Sequence, residues 1–233
     1  KLPLRDLIDL FGRRGFGAIA VTDHLCERET VLGKAARYLG CSLTEESFAR
    51  HMDRIQLEGE RAWKEYRMRV LPGFEVTKNT LSNHRSAHVL AVGTATYVDP
   101  NLPIEEVCQA IRETGGLAIA AHPVSTRRLE KQTYHLWSRR HELVKHFDAW
   151  EVASGPHLFS EVLHSGLPMI ANSDLHHSRQ IESWKTVFRC QREPEAILDA
   201  VRRQEVQFSF YRDAATEPSP LQAFPFILPL PAV

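Results

Sequence analysis

Leu167-Pro168-Met169-Ile170-Ala171-Asn172-Ser173-Asp174-Leu175-His176-His177 runs an apolar stretch directly into an acid and two imidazoles. The apolar part reads as a buried strand. Side chains alternate along a strand, so Asp174 and His176, two apart at its mouth, point to the same side. One carboxylate and one imidazole held together make a good pair of transition-metal ligands. An Asp in this place can also cap a following helix, and a strand-end His is often only hydrogen-bonded. The pair therefore takes its meaning from how the other strands end.

Several of them end alike. Ala18-Ile19-Ala20-Val21-Thr22 reads as a buried strand closing on Asp23-His24. Val70-Leu71-Pro72-Gly73-Phe74 leads to Glu75, and Leu117-Ala118-Ile119-Ala120-Ala121 leads to His122-Pro123. His88 opens the run His88-Val89-Leu90-Ala91-Val92, and Ala149-Trp150-Glu151-Val152 is a further strand. Between these lie helical stretches. The first starts at Pro3 with Leu4, Leu7, Ile8, Leu10 and Phe11 on one face. Another covers residues 44–68, opened by Ser42 or Thr44 as cap with Glu45 and Glu46 in its first turn. Further helices are expected over 103–114, 127–147, 157–165 and 194–204, the last followed by Val206-Gln207-Phe208-Ser209-Phe210. Continuous apolar strands alternating with helices predict a parallel sheet covered on both faces or closed as a barrel. One α/β domain over 1–212 is expected, with a Pro-rich C-terminal tail over 213–233 that has too many prolines for a helix or central strand.

Composition narrows the partners. The 233 residues carry 29 basic and 29 acidic side chains, so broad electrostatic attraction to nucleic acid or membrane is not expected and an anionic substrate must be captured locally. Cys26, Cys41, Cys108 and Cys190 are scattered, with no C-x-x-C spacing, and read as reduced thiols of a cytoplasmic protein. No signal peptide and no membrane-crossing run is visible.

Strand-end residues of α/β barrels assemble active sites, and the polar set here is rich in imidazole. Several histidines with few carboxylates suit Zn²⁺, Mn²⁺ or Fe rather than Ca²⁺ or Mg²⁺. A carboxylate such as Glu75 can bridge two ions, which a neutral His cannot do. Paired ions can generate hydroxide at neutral pH and clamp the oxygens of an in-line displacement at phosphorus.

Val21-Thr22-Asp23-His24, Gly73-Phe74-Glu75, His88-Val89-Leu90-Ala91-Val92-Gly93, Ala121-His122-Pro123 and Ser173-Asp174-Leu175-His176 resemble, in order, the motifs of the polymerase and histidinol phosphatase (PHP) superfamily, from about residue 4 to 190. The closest likeness within it is to stand-alone metal-dependent phosphoesterases. The resemblance implies a distorted (β/α)7 TIM-like barrel, two or three divalent ions, and hydrolysis of phosphate esters. Carried over motif by motif, it implies His24, Glu75, His88, His122, Asp174 and His176 as metal ligands. Glu75 would bridge, with His88 and His122 serving the ion it shares, and Glu75, Asp174 and His176 would carry catalysis. It implies that Asp23 orients His24 or a metal-bound water.

The family's first motif, H-x-H on the first barrel strand, is absent. It would stand immediately before Lys1, so a shortened chain with its first strand missing and an unpaired sheet edge is expected. Softer substrate-side candidates are Arg127 and Arg128, whose guanidinium groups could hold a phosphate, and Glu151 and Ser154 at the same mouth. The expected substrate is a small phosphomonoester or a nucleotide or oligonucleotide end. The competing function is a degenerate barrel acting as a binding or regulatory module with an incomplete metal site. Amidohydrolase-type hydrolysis is disfavoured by the Glu75 and His122-Pro123 spelling and by the lack of an evident strand-end lysine for carboxylation.

Overall fold

The computed structural model describes residues 2–79, 86–124 and 134–213. Helix α1 (Leu4–Gly12) leads into β1 (Ala18–Cys26) and then α2 (Val31–Tyr38), a short helix the apolar pattern did not announce. Thr44 caps α3 (Glu45–Tyr66) through a reciprocal box with Ser47, and the helix closes at Arg67 in the left-handed region. Then come β2 (Arg69–Lys78), β3 (Ala87–Val92), α4 (Ile104–Glu113) and β4 (Leu117–Ala120). The second half holds α5 (Tyr134–Ser138), α6 (Arg140–Leu143), β5 (Ala149–Ser154), β6 (His157–Leu158), α7 (Ser160–Leu163), β7 (Met169–Asn172), β8 (Trp184–Phe188), α8 (Pro194–Arg202) and β9 (Val206–Phe210).

Strands β1 to β7 form one sheet that curls into a half-barrel, in the order β1-β2-β3-β4-β5-β6 with β7 against β5. The expectation of a parallel sheet needs correction, because β3 runs antiparallel to both β2 and β4. Only residues 79–86 separate β2 from β3, too few for the crossover a parallel neighbour requires. Strands β1, β2, β4, β5 and β7 all share one direction. The reversal matters for His88. It begins its strand at the edge of the sheet where β1, β2, β4 and β7 end theirs, and its register partner is Thr77, two residues beyond Glu75.

Three further expectations are revised. Strand β1 is not buried throughout: Ala20 is exposed, and among the described strands β1 pairs with β2 alone. The helix expected over 157–165 is a two-residue strand paired back on β5 and a four-residue helix, and the turn at Gly155 (φ 55°) makes that hairpin possible. The last strand, β9, does not join the main sheet; it pairs antiparallel with β8. Thr186 on β8 donates to Ala171 O and accepts from Ala171 N, fastening this ribbon beside β7.

The core lies between the sheet and its helices. Phe74, Val76, Val89, Ile119, Trp150 and Val152 are each fully buried. No helix among the described residues is long and apolar enough to cross a membrane.

Candidate metal centre

Parallel β1, β2, β4 and β7 and reversed β3 bring six side chains to one edge of the sheet. In register, His24 lies beside Glu75 and Thr77 lies beside His88. His122 follows β4, and Asp174 and His176 follow β7. His122 and Asp174 hold φ angles of 28° and 45°, in the left-handed region that non-glycine residues rarely adopt. The backbone bends there in a way a relaxed strand would not, and this turns both side chains toward the mouth. A cavity of about 550 Å³ opens at this edge, with His24, Glu75, His122, Asp174 and His176 in its wall.

Glu75, His88 and His122 converge inside the wall, one ligand atom of each lying within 4.8 Å of the others. Glu75 Oε1 is 2.7 Å from His88 Nδ1, and His88 Nδ1 is 2.8 Å from His122 Nε2. His24 Nδ1 stands 3.7 Å from the same carboxylate oxygen. Burial opposes the charge on Glu75, but the imidazole of His88, then those of His24 and His122, outweighs it and holds the carboxyl down at about 2. The residue is an anion at neutral pH.

The partners on the far side of each ring set its tautomer. Thr77 Oγ1 lies 2.9 Å from His24 Nδ1 and 3.2 Å from Glu75 O, which fixes how the His24 ring stands. His24 Nε2 faces His176 Nε2 at 3.4 Å. His176 Nδ1 donates to Asp174 O at 3.1 Å. His88 Nε2 is tied to Asn79 Oδ1 at 3.1 Å, and His122 Nδ1 faces Glu151 Oε2 at 3.5 Å. Each ring has a polar neighbour on its outer side, and the inner nitrogens crowd together around Glu75 Oε1, which has no hydrogen bond of good geometry despite its close contact with His88.

Such a donor set calls for a cation between its members. Two nitrogens bound to a tetrahedral ion at about 2.0–2.1 Å stand roughly 3.3–3.4 Å apart, matching the His24–His176 separation. The residues present therefore fit a divalent metal. Replacing Thr77 by valine keeps the shape but removes the hydroxyl that orients His24. Metal affinity, read by competition with a chelator, is expected to fall about tenfold.

Asp23 lines the cavity beside His24, and its Oδ2 lies 3.0 Å from His51 Nε2 on α3. Glu151 lines the cavity too. It is buried, accepts the backbone N–H of His122 at 2.6 Å and the amide of Asn172 at 2.7 Å, and so supports His122 from beneath. Glu151→Ala would strand both donors, at a cost of about 2–3 kcal/mol, and weaken metal binding about tenfold or more. Glu151→Gln, which keeps an acceptor, is expected to recover part of both, as measured by thermal melts and metal titration.

Ser154 is buried at the end of β5 and is not among the residues lining the cavity. Arg127 and Arg128 lie outside the described residues. Thr77, Asn79, Asn172 and His51 were not picked out from the sequence. The first two sit within four residues of Glu75 on or just after β2, which was the available signal.

The fold and this edge together describe a mixed α/β protein with a histidine-rich metal-type centre at one end of a curled sheet. No protein-family model matches the chain, and neither does any curated protein. A solved structure does: a two-domain protein from Bacteroides vulgatus containing a predicted PHP-like metal-dependent phosphoesterase, with a TM-score of 0.65 at 19% identity. The match covers 88% of this chain and 59% of that one, so the chain spans somewhat more than half the length of its structural neighbour. The likeness shows a PHP-like fold.

Proposed function

We propose that this protein hydrolyses phosphate esters with divalent metal ions held by His24, Glu75, His88, His122, Asp174 and His176, on a distorted (β/α)7 barrel of PHP type. The observation that carries the reading is the convergence of Glu75, His88 and His122, with His24 and His176 facing each other beside them and each ring met by a polar group on its outer side. Glu75, His88 and His122 would hold one ion, with Glu75 bridging, while His24, Asp174 and His176 complete two or three sites for Zn²⁺, Mn²⁺ or Fe. Bound metal of this kind supplies hydroxide at neutral pH and stabilises charge at phosphorus. The chain's own part is to fix the ligands, through Thr77, Asn79 and Glu151, and to exclude water from the buried Glu75–His88–His122 side.

The substrate class is a small phosphomonoester or a nucleotide or oligonucleotide end. A net charge of zero argues against long polymers, which need many phosphate contacts. Four cysteines without a disulfide among them suit the reducing cytoplasm. The assay is turnover of p-nitrophenyl phosphate by the full chain loaded with Mn²⁺ or Zn²⁺, repeated after chelation. Metal-dependent hydrolysis lost in His122→Ala supports the reading. Metal bound without turnover of any phosphomonoester or short oligonucleotide would favour the binding-module alternative.

A further inference from the structure

Helix α3 carries His51 and Arg54, three apart and therefore neighbours on the helix surface. Both line the cavity that holds the metal-type ligands, alongside Asp23 and His24. His51 Nε2 lies 3.0 Å from Asp23 Oδ2, without hydrogen-bond geometry. Arg54 is exposed and makes no hydrogen bond or ion pair with any described residue.

Its freedom contrasts with the other cations nearby. Lys185, also in the cavity wall, donates to Ile181 O, Ser183 O and Ser183 Oγ at 2.8, 3.2 and 2.6 Å and has no donor to spare. Arg61, two turns further along α3, is committed to Asp9, Glu58 and Glu65. Arg28 is committed to Glu45 and Asp99. Among the described residues that line the cavity, Arg54 is the one guanidinium, and it is uncommitted.

With equal numbers of acidic and basic side chains, the protein has no general field to attract an anion, so capture depends on a local cation. A guanidinium is always charged, and its planar fork matches two oxygens of a phosphate. We propose that Arg54 is the phosphate-recognition residue of this site, holding the peripheral oxygens of a phosphomonoester dianion at the cavity mouth. The site then selects a terminal phosphate over a diester, which offers fewer free oxygens and less charge. The assignment rests on the phosphoesterase reading and gives its substrate a recognition element.

The test is binding of inorganic phosphate to the metal-loaded full chain by calorimetry, with metal content measured on each sample. Arg54→Ala is expected to weaken phosphate binding about tenfold or more, since hydrogen bonds between charged partners are worth roughly 1.5–3 kcal/mol. Its metal content should be unchanged. Arg54→Lys should recover part of the loss, as a point charge without the fork. Arg50→Ala, which removes the same charge from α3 outside the cavity, should bind phosphate like the parent. Normal metal content with phosphate binding unaltered in Arg54→Ala would overturn this assignment and leave the metal reading standing. A parent chain that takes up no metal would instead defeat the metal reading, and the assignment with it if phosphate also fails to bind.

Discussion

Glu75→Gln is expected to strip the centre of metal and lower phosphomonoester hydrolysis about a hundredfold or more while the fold persists. The carboxylate is buried, ionised and surrounded by His24, His88 and His122, and the substitution keeps its shape. An amide offers one acceptor oxygen and two donors, so it cannot bridge ions. It also removes the negative charge that compensates bound cations in a dry setting. Circular dichroism should report an intact α/β protein, and elemental analysis should report the lost metal. Full metal occupancy and undiminished turnover in Glu75→Gln would leave no role for the bridging carboxylate.

Phe74→Ala is expected to cost about 3–5 kcal/mol, the range for emptying a fully buried aromatic site. For a chain of this size that lowers Tm by on the order of 10 °C. Phe74 has no exposed surface, and its ring meets Phe48 of α3 edge-on, centroids 5.4 Å apart and planes 75° apart. Phe48 meets Tyr97 in the same manner, so this one side chain of α3 joins β2 to the loop after β3. The cavity left behind would lie on the α3 side of β2, the face opposite Glu75, so metal binding should change far less than stability. Leu57→Ala, on the exposed face of α3, should change stability by about 0.5 kcal/mol or less. A Phe74→Ala loss below about 1 kcal/mol in a denaturant melt would mean this contact is not a keystone of the core.

The proposed ligand set was legible because metal chemistry restricts residue type and because strands present such residues at their ends. His24, Glu75, His122, Asp174 and His176 could each be placed from an apolar run and the acid or imidazole that closes it. His88 could not be placed by that rule, since it opens its run. Its position depends on β3 being antiparallel, which follows from the shortness of the connection after β2 and not from apolar periodicity, for a fully buried strand reads the same in either direction. The contact that Asp23 makes with α3 was not legible in the sequence. Its partner His51 lies 28 positions away on a helix, beyond any local pattern. Glu151 lines the cavity, but its burial between β4 and β7, which flank β5 on either side, and its bonds to His122 and Asn172 were not legible in the sequence. The two-residue β6 and four-residue α7 are too short to show a period, so that stretch blurred into one helix.

Gly73 illustrates a signal that could be read only in part. A Cβ there would overlap the carbonyl oxygen of Ala91 on β3, so the glycine permits the close approach of the two strands that carry Glu75 and His88. In the sequence it is simply part of Gly73-Phe74-Glu75.

The most direct measurement is a calorimetric titration of the metal-free full chain with Zn²⁺ and with Mn²⁺, run beside His122→Ala. The account predicts at least one tightly bound ion per chain, with affinity lost or greatly weakened in the variant. A parent chain that binds neither ion, or binds both no better than His122→Ala, would contradict it.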